Sequence, residues 1–211
     1  MRVIQFVKRV NNTELGKGGT NETYILVPQE VNVDDIFEKK DAEINFEDKD
    51  TGTTEKIRLT KDREQRIVGL GPFYRRNKVS AGDSVIIERR IDNLNVSHFY
   101  ISLQKYDNNI VLQKTKEGFE VLEEYKTNLF TKNIKIFKDG TLKTISLDFL
   151  KMIRKNIKSP NETKVYEVYI DGDGISDTYK KNNMLEIIVV DDIAHIRKIR
   201  TWEKYITEVK E

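Results

Sequence analysis

The first half of the chain consists of short runs in which apolar and polar residues alternate. A period of two places one row of side chains on each face of a strand, so these runs predict half-buried β-strands. The predicted strands are, in chain order, Val3–Val10, Tyr24–Val27, Ala42–Phe46, Lys56–Thr60, Val85–Arg89 and Phe99–Leu103. Two short helices are expected between them, at Val33–Lys40 and Pro72–Asn77. Six short strands with little helix favour a barrel or a sandwich.

The pattern becomes mixed in the second half. Apolar residues at helical spacing follow Ser146 and end before Pro160, which predicts a helix over 147–157. The same spacing from Ile193 to Ile206 predicts a C-terminal helix. Further strands are expected at Ile110–Lys114, Asn133–Phe137, Thr141–Ile145, Val165–Ile170 and Met184–Val190. The prediction is therefore a mainly β protein, with a barrel over residues 1–107 and a smaller α+β unit of unassigned role over 108–211.

Composition excludes several classes of site. The 211 residues contain no cysteine and two histidines, so there is no disulfide, no thiolate zinc site and no cysteine nucleophile. No run of about 18 apolar residues predicts a transmembrane helix, and the N-terminus lacks the order of a signal peptide. We expect a cytoplasmic protein that neither binds a membrane nor uses a cofactor.

Charge is unevenly distributed although the formal net charge is only +2. Residues 56–90 contain ten Lys or Arg against four acids, whereas residues 29–55 contain ten acids against three lysines. Such a chain can present a basic face to a polyanion without being basic overall. The alternative is that the two stretches are solvated surfaces that neutralise each other.

Two segments carry a resemblance to a known family. Residues 19–28 (GTNETYILVP) are a polar loop leading into a strand that ends in proline. Residues 56–90 join a basic loop (TKDREQR), an apolar link (IVGLG), a short helix (PFYRRN) and a Gly-Asp turn before a strand. This arrangement resembles the B3-like DNA-recognition domain, found in plant B3 transcription factors and in the target-recognition domains of restriction endonucleases of the EcoRII and BfiI type. The resemblance covers about residues 1–107.

The resemblance implies an open β-barrel (pseudobarrel) with short helices, in which two loop arms hold the major groove of double-stranded DNA. One arm is the loop before Tyr24, and the other is Lys61–Arg66. It also implies a targeting role in a restriction-modification system, with the catalytic machinery on a further nuclease or NTPase domain or subunit.

Residue chemistry suggests which arm residues read bases and which bind phosphate. Arginine can donate two hydrogen bonds to guanine, and Gln or Asn can pair with adenine. Lysine and arginine bind phosphates, which positions the protein without reading sequence. The expected base readers are Thr20, Asn21, Thr23, Arg63, Gln65 and Arg66, and the expected phosphate ligands are Lys17, Lys61, Arg75, Arg76 and Lys78.

Three other interpretations of the sequence compete with DNA recognition. The segment DGDGISD at 171–177 resembles a calcium loop, but the flanking ligand positions hold Tyr169 and Lys180, so a hairpin loop is favoured. Glu162 and Lys164, with Asp148 upstream, have the spacing of a magnesium-dependent nuclease. A barrel that binds protein or RNA rather than duplex DNA is the third alternative.

Overall fold

The computed structural model describes residues 1–17, 22–106, 108–130, 133–154 and 162–209. The protein is mainly β, with 51% strand and 8% helix, as the alternating patterns predict. The chain forms two compact units. The first contains Met1–Lys105 and the C-terminal strand, and the second is Tyr106–Arg200.

Sixteen strands and a single α-helix are found in the described residues, with two short 3-10 helices. The strands before the second unit are β1 (Arg2–Arg9), β2 (Tyr24–Leu26), β3 (Ile44–Asp48), β4 (Thr54–Leu59), β5 (Arg66–Val68), β6 (Ser84–Ile91) and β7 (Ser97–Gln104). The later strands are β8 (Asn109–Lys114), β9 (Phe119–Val121), β10 (Lys135–Lys138), β11 (Thr141–Arg154), β12 (Glu162–Ile170), β13 (Asp173–Gly174), β14 (Met184–Val190), β15 (Ile193–Ile199) and β16 (Trp202–Glu208). The helix α1 is Gly71–Arg76, and the 3-10 helices are Glu124–Leu129 and Ser176–Thr178.

The first unit is a curled half-barrel sheet with the strand order β16-β1-β6-β7-β3-β4-β5-β2. Within the described residues of this sheet, the pair β3–β7 is parallel and the other pairs are antiparallel. Phe6, Phe46 and Phe73 are fully buried in its core. Gly69 follows β5 with a φ of +93°, and a Cβ there would lie 2.1 Å from the carbonyl oxygen of Lys56. Only glycine therefore lets the chain pass this close to β4 before α1.

The second unit is a closed barrel of seven strands. Its sheet order is β11-β10-β15-β14-β8-β9-β12, and a further pairing between β11 and β12 closes the ring. Strand β13 adds only a two-residue edge to β12. A separate apolar core, including Phe119, Leu112 and Leu185, fills this barrel. Each unit thus has its own core.

The helix predicted over 147–157 is wrong for residues 147–154, because residues 141–154 form the long strand β11. Residues 155–157 lie outside the described ranges. Pairing with β12 is antiparallel along nine positions, and its register shifts between Phe149 and Lys151. A bulge of this kind inserts one extra residue into a strand and interrupts the period of two. Because of the extra residue, the apolar residues Leu147, Leu150 and Ile153 are three positions apart, which is the spacing that indicates a helix.

Two other predicted helices are also absent. The segment 193–206 contains strands β15 and β16, so the second unit is an all-β barrel rather than an α+β unit. Strand β16 pairs along β1 and belongs to the first unit, not the second. At 33–40 only one helical turn forms, with the amides of Ile36 and Phe37 donating to the carbonyl of Val33.

The turn between β14 and β15 offers a test of backbone strain. Asp191 and Asp192 connect the paired residues Val190 and Ile193, and both have positive φ, 49° and 61°. This conformation is costly for residues with a Cβ, whereas glycine adopts it freely. Asp192→Gly should therefore raise the free energy of unfolding by up to about 1 kcal/mol, measured by chemical denaturation. Asp177→Gly, at an exposed position in a 3-10 helix, should be neutral or destabilising.

Candidate nucleic-acid interface

The base of the first arm is anchored by a buried ion pair. Glu14, 2% exposed, accepts hydrogen bonds from the ammonium group of Lys8 at 2.6 Å and 2.8 Å. The same carboxylate accepts from the amides of Asn11 and Leu26, each at 3.0 Å. One side chain of the loop thus ties the end of β1 to β2, so the arm between these strands leaves a fixed base.

The second arm is closed by a pair of hydrogen bonds between its ends. The amide of Thr60 donates to the carbonyl of Arg66 at 2.9 Å, and the amide of Arg66 donates to the hydroxyl of Thr60 at 3.0 Å. The amide of Val27 donates to the carbonyl of Gln65 at 3.0 Å. Since Leu26 pairs with Arg66 in the sheet, both arms border strand β2.

Arg66 contacts residues of both arms. Its guanidinium lies over the ring of Tyr24, 4.4 Å from the centroid. It pairs with Glu64 of the second arm at 2.5 Å and with Glu22 of the first arm at 3.7 Å. The hydrogen bond to Glu64 raises the pKa of Arg66 above its already high value. Arg66 therefore links the two arms through hydrogen bonds to Glu64 and an ion pair with Glu22.

Helix α1 lies next to the first arm. The hydroxyl of Thr23 and the guanidinium of Arg75 are 3.2 Å and 3.3 Å from the position that a Cβ on Gly71 would take. Thr23 and Arg75 are thus neighbours at the start of α1. The structure brings together one predicted base reader and one predicted phosphate ligand at this point.

Half of the cations in the basic stretch form ion pairs with the acidic stretch. Five of its ten cations pair with acids of residues 29–55, namely Lys56, Arg58, Lys61, Arg76 and Arg89. Arg63, Arg75 and Lys78 form no ion pair with any residue that the structure describes. All three side chains are exposed. The excess of positive charge that a polyanion would meet is therefore concentrated in these three residues.

Arg76 is held by two buried acids that its sequence context does not reveal. It donates to the carboxylate of Asp48 at 3.0 Å and to that of Glu55, and both acids are buried. Asn77 donates to the same oxygen of Asp48 at 2.9 Å. Burial alone would raise the pKa of Asp48, but the hydrogen bonds from Asn77, Arg76 and the amide of Asp50 lower it overall. This network fixes α1 to the β3–β4 hairpin.

The remaining predicted residues are distributed over the two arms. Lys17 is exposed at the start of the first arm, whereas Thr20 and Asn21 lie outside the described residues. Lys61 is exposed and 3.5 Å from Asp41. A groove of about 520 Å³ beside the second arm is lined by residues that include Arg63 and Gln65. Another groove, of about 540 Å³ in the second unit, is lined by none of the predicted DNA-binding residues.

The residues of the nuclease alternative do not converge. In the register of β11 and β12, Asp148 lies opposite Glu167, and Glu162 lies opposite Arg154. Asp148 and Glu162 are therefore five positions apart along β12, or about 16 Å. Lys164 donates to Glu124, and this hydrogen bond raises the pKa of Lys164. Within the described ranges, no three His, Asp or Glu side chains form a cluster able to hold a metal ion.

The segment resembling a calcium loop is a hairpin turn. Asp171 and Gly172 both have positive φ, 50° and 89°, and they join the paired residues Ile170 and Asp173. The buried carboxylate of Glu167 accepts hydrogen bonds from the amides of Ile175 and Ser176. The loop is thus held by a side chain of the protein itself.

No protein-family model matches this chain, and no curated protein is significantly similar to it. Among the described residues, no helix is long and apolar enough to cross a membrane.

Proposed function

We propose that this chain recognises double-stranded DNA through the two loop arms of its first unit. The observation that carries the proposal is the position of the three exposed cations that lack an ion pair with the described residues. Arg63 lies on the second arm, and Arg75 lies beside Thr23 at the end of the first. Both arms border β2 and are anchored to it. Two anchored loops on one strand can present side chains in a fixed relative position, which direct readout of bases requires.

The proposal assigns different tasks to the exposed side chains. Exposed Arg63 and half-buried Gln65 lie on the second arm, and their chemistry suits guanine and adenine edges in the major groove. Thr20, Asn21 and Thr23 of the first arm remain proposed base contacts. Arg75, Lys78, Lys17 and Lys61 are proposed to bind phosphates. Arg76 is left out of this set because its guanidinium is held by two buried acids.

The resemblance to B3-like domains supports a role in a restriction system. In this proposal the chain is a cytoplasmic targeting domain, and cleavage or nucleotide hydrolysis belongs to a further domain or subunit. The separation of Asp148 from Glu162 gives no support to cleavage by the second unit. Incubation of duplex DNA with the chain and magnesium should therefore yield no cleavage products.

A binding selection from random duplex DNA at two salt concentrations tests the proposal. The wild-type chain should enrich one short motif. Arg63→Ala should relax the preference at one base pair and weaken binding to the motif about tenfold or more. Arg75→Ala should weaken binding evenly across sequences and reduce the salt slope by about one. Arg200→Ala removes the same charge from an exposed position in the second unit and serves as the matched control.

Other results would contradict the proposal in distinct ways. Binding that depends on salt but not on sequence would reduce the arms to a phosphate contact. Binding to RNA but not to duplex DNA would favour the alternative of an RNA-binding barrel. The absence of any nucleic-acid binding would leave protein partners as the alternative.

A further inference from the structure

The bonding of Arg66 conflicts with the role of a base reader. A guanidinium that reads guanine must point two free N–H groups at the base edge. In this protein Glu64 accepts from both Nε and Nη2 of Arg66, at 3.1 Å and 2.5 Å. Glu22 lies 3.7 Å from Nη1. Two carboxylates therefore face the edges that would have to reach the base.

The flat face of the guanidinium is also in contact with another residue. Tyr24 lies beneath it at 4.4 Å from the ring centroid, an arrangement that is typical of a cation–π contact. Tyr24 is buried, and the hydroxyl of Tyr74 is 3.4 Å from its carbonyl oxygen. The buried ring thus lies on β2 beneath the guanidinium, and only about a third of the Arg66 side chain is exposed.

We infer that Arg66 is a positioning residue that holds the two arms in register, with Glu22, Glu64 and Tyr24 as its partners. Glu22 precedes β2 at the end of the first arm, and Glu64 lies within the second, so the three charged groups form a bridge between the loops. This inference rests on the proposed function and assigns arginine readout on the second arm to Arg63, which forms no ion pair with the residues that the structure describes.

The inference predicts an effect opposite to that of simple electrostatics. Replacing an acid near a DNA-binding surface with its amide removes repulsion from phosphates and should strengthen binding. Replacing Glu22 or Glu64 would instead release the arms and weaken specific binding, if these acids hold Arg66. Glu30, an exposed acid that lines the groove beside the second arm, forms no ion pair with the described residues and provides a control.

The experiment compares the affinity for the selected motif with that for a scrambled duplex. Glu64→Gln and Arg66→Ala should lower the ratio of the two affinities about tenfold, and the loss should be spread over all base positions. Glu22→Gln should act in the same direction but less strongly, because its contact is longer. Glu30→Gln should leave the ratio unchanged. Tighter motif binding by Glu64→Gln, with loss of preference at a single base pair in Arg66→Ala, would overturn the inference and restore Arg66 as a reader.

A second measurement needs no DNA and separates this inference from the proposed function. Hydrogen exchange of amides at 22–27 and 60–68 should be faster in Arg66→Ala than in the wild type and in the Arg200→Ala control. Unchanged exchange in both segments would overturn the positioning role. Faster exchange in a protein that binds no duplex would uphold the bridge and reject only the DNA proposal.

Discussion

Glu14→Ala is expected to lower the free energy of unfolding by about 3–5 kcal/mol, because it leaves the buried ammonium group of Lys8 without its counter-ion and with only the carbonyl of Arg9 as an acceptor among the described residues. The substitution also removes the acceptor for the amides of Asn11 and Leu26. Chemical denaturation followed by circular dichroism measures the change. Where the two units unfold in separate transitions, the transition of the first unit should be the one that shifts.

Two variants define what the Glu14 result means. Glu30→Ala removes an exposed acid without an ion pair to the described residues and should change stability by less than about 0.5 kcal/mol. The double variant Lys8→Met/Glu14→Leu removes both charges and should lose much less than Glu14→Ala alone, since no unpaired charge remains. A loss below about 1 kcal/mol in Glu14→Ala would show that water replaces the carboxylate at Lys8.

The alternating pattern predicts most strands because one face of each contacts a core. Ile4, Phe6 and Lys8 occupy the same face of β1, and all three are buried. A lysine at a core position of an alternating strand is a signal of a buried partner, but it does not identify Glu14. Ion pairs between distant segments, such as Arg76 with Asp48, depend on the fold and leave no local pattern.

The second unit shows where local patterns fail. Lys138-Asp139-Gly140 marks a hairpin, and Lys138 and Thr141 do pair across it. Asp191-Asp192 forms a comparable turn but lacks glycine, and the apolar spacing from Ile193 onwards predicts a helix instead. Long-range pairing determines the structure of the two segments predicted as helices. The bulged pairing of β11 with β12 near Leu150 and the pairing of β16 with β1 override the helical spacing of their apolar residues.

The described parts of the two predicted arms are loops, but the exposed and the paired arginines are distributed differently from the expectation. The sequence shows four arginines within residues 63–76, namely Arg63, Arg66, Arg75 and Arg76. It does not show that Arg66 and Arg76 are held by carboxylates whereas Arg63 and Arg75 are exposed. Because the acidic stretch folds against the basic stretch, charge counts along the chain overestimate the number of cations available to a polyanion.

Asp48→Ala is the second substitution with a large expected effect. Asp48 accepts hydrogen bonds from Arg76, Asn77 and the amide of Asp50, and hydrogen bonds to a charged group contribute about 1.5–3 kcal/mol each. We expect a net loss of about 3 kcal/mol at neutral pH, because the guanidinium retains Glu55 as a partner. Asp50→Ala, two residues away and exposed, should have little effect.

The pH dependence of this loss tests its cause. The pKa of Asp48 in the folded protein lies below its ordinary value of 3.8, because the hydrogen bonds from Asn77, Arg76 and Asp50 outweigh the opposing effect of burial. A depressed carboxyl pKa contributes stability above the unfolded value, and this stability is lost as pH falls through the folded value. The difference between the wild type and Asp48→Ala should therefore be constant near neutrality and shrink below about pH 4.

The same variant connects stability with binding. Asp48 holds Arg76 and Asn77, and these residues fix the helix that presents Arg75. In folded Asp48→Ala protein, the affinity for duplex DNA should fall evenly across sequences, as it does in Arg75→Ala, while the base preferences of the second arm remain. A selective loss at one base pair would contradict this argument, because it would show that the helix, rather than the arms, contributes to reading the sequence.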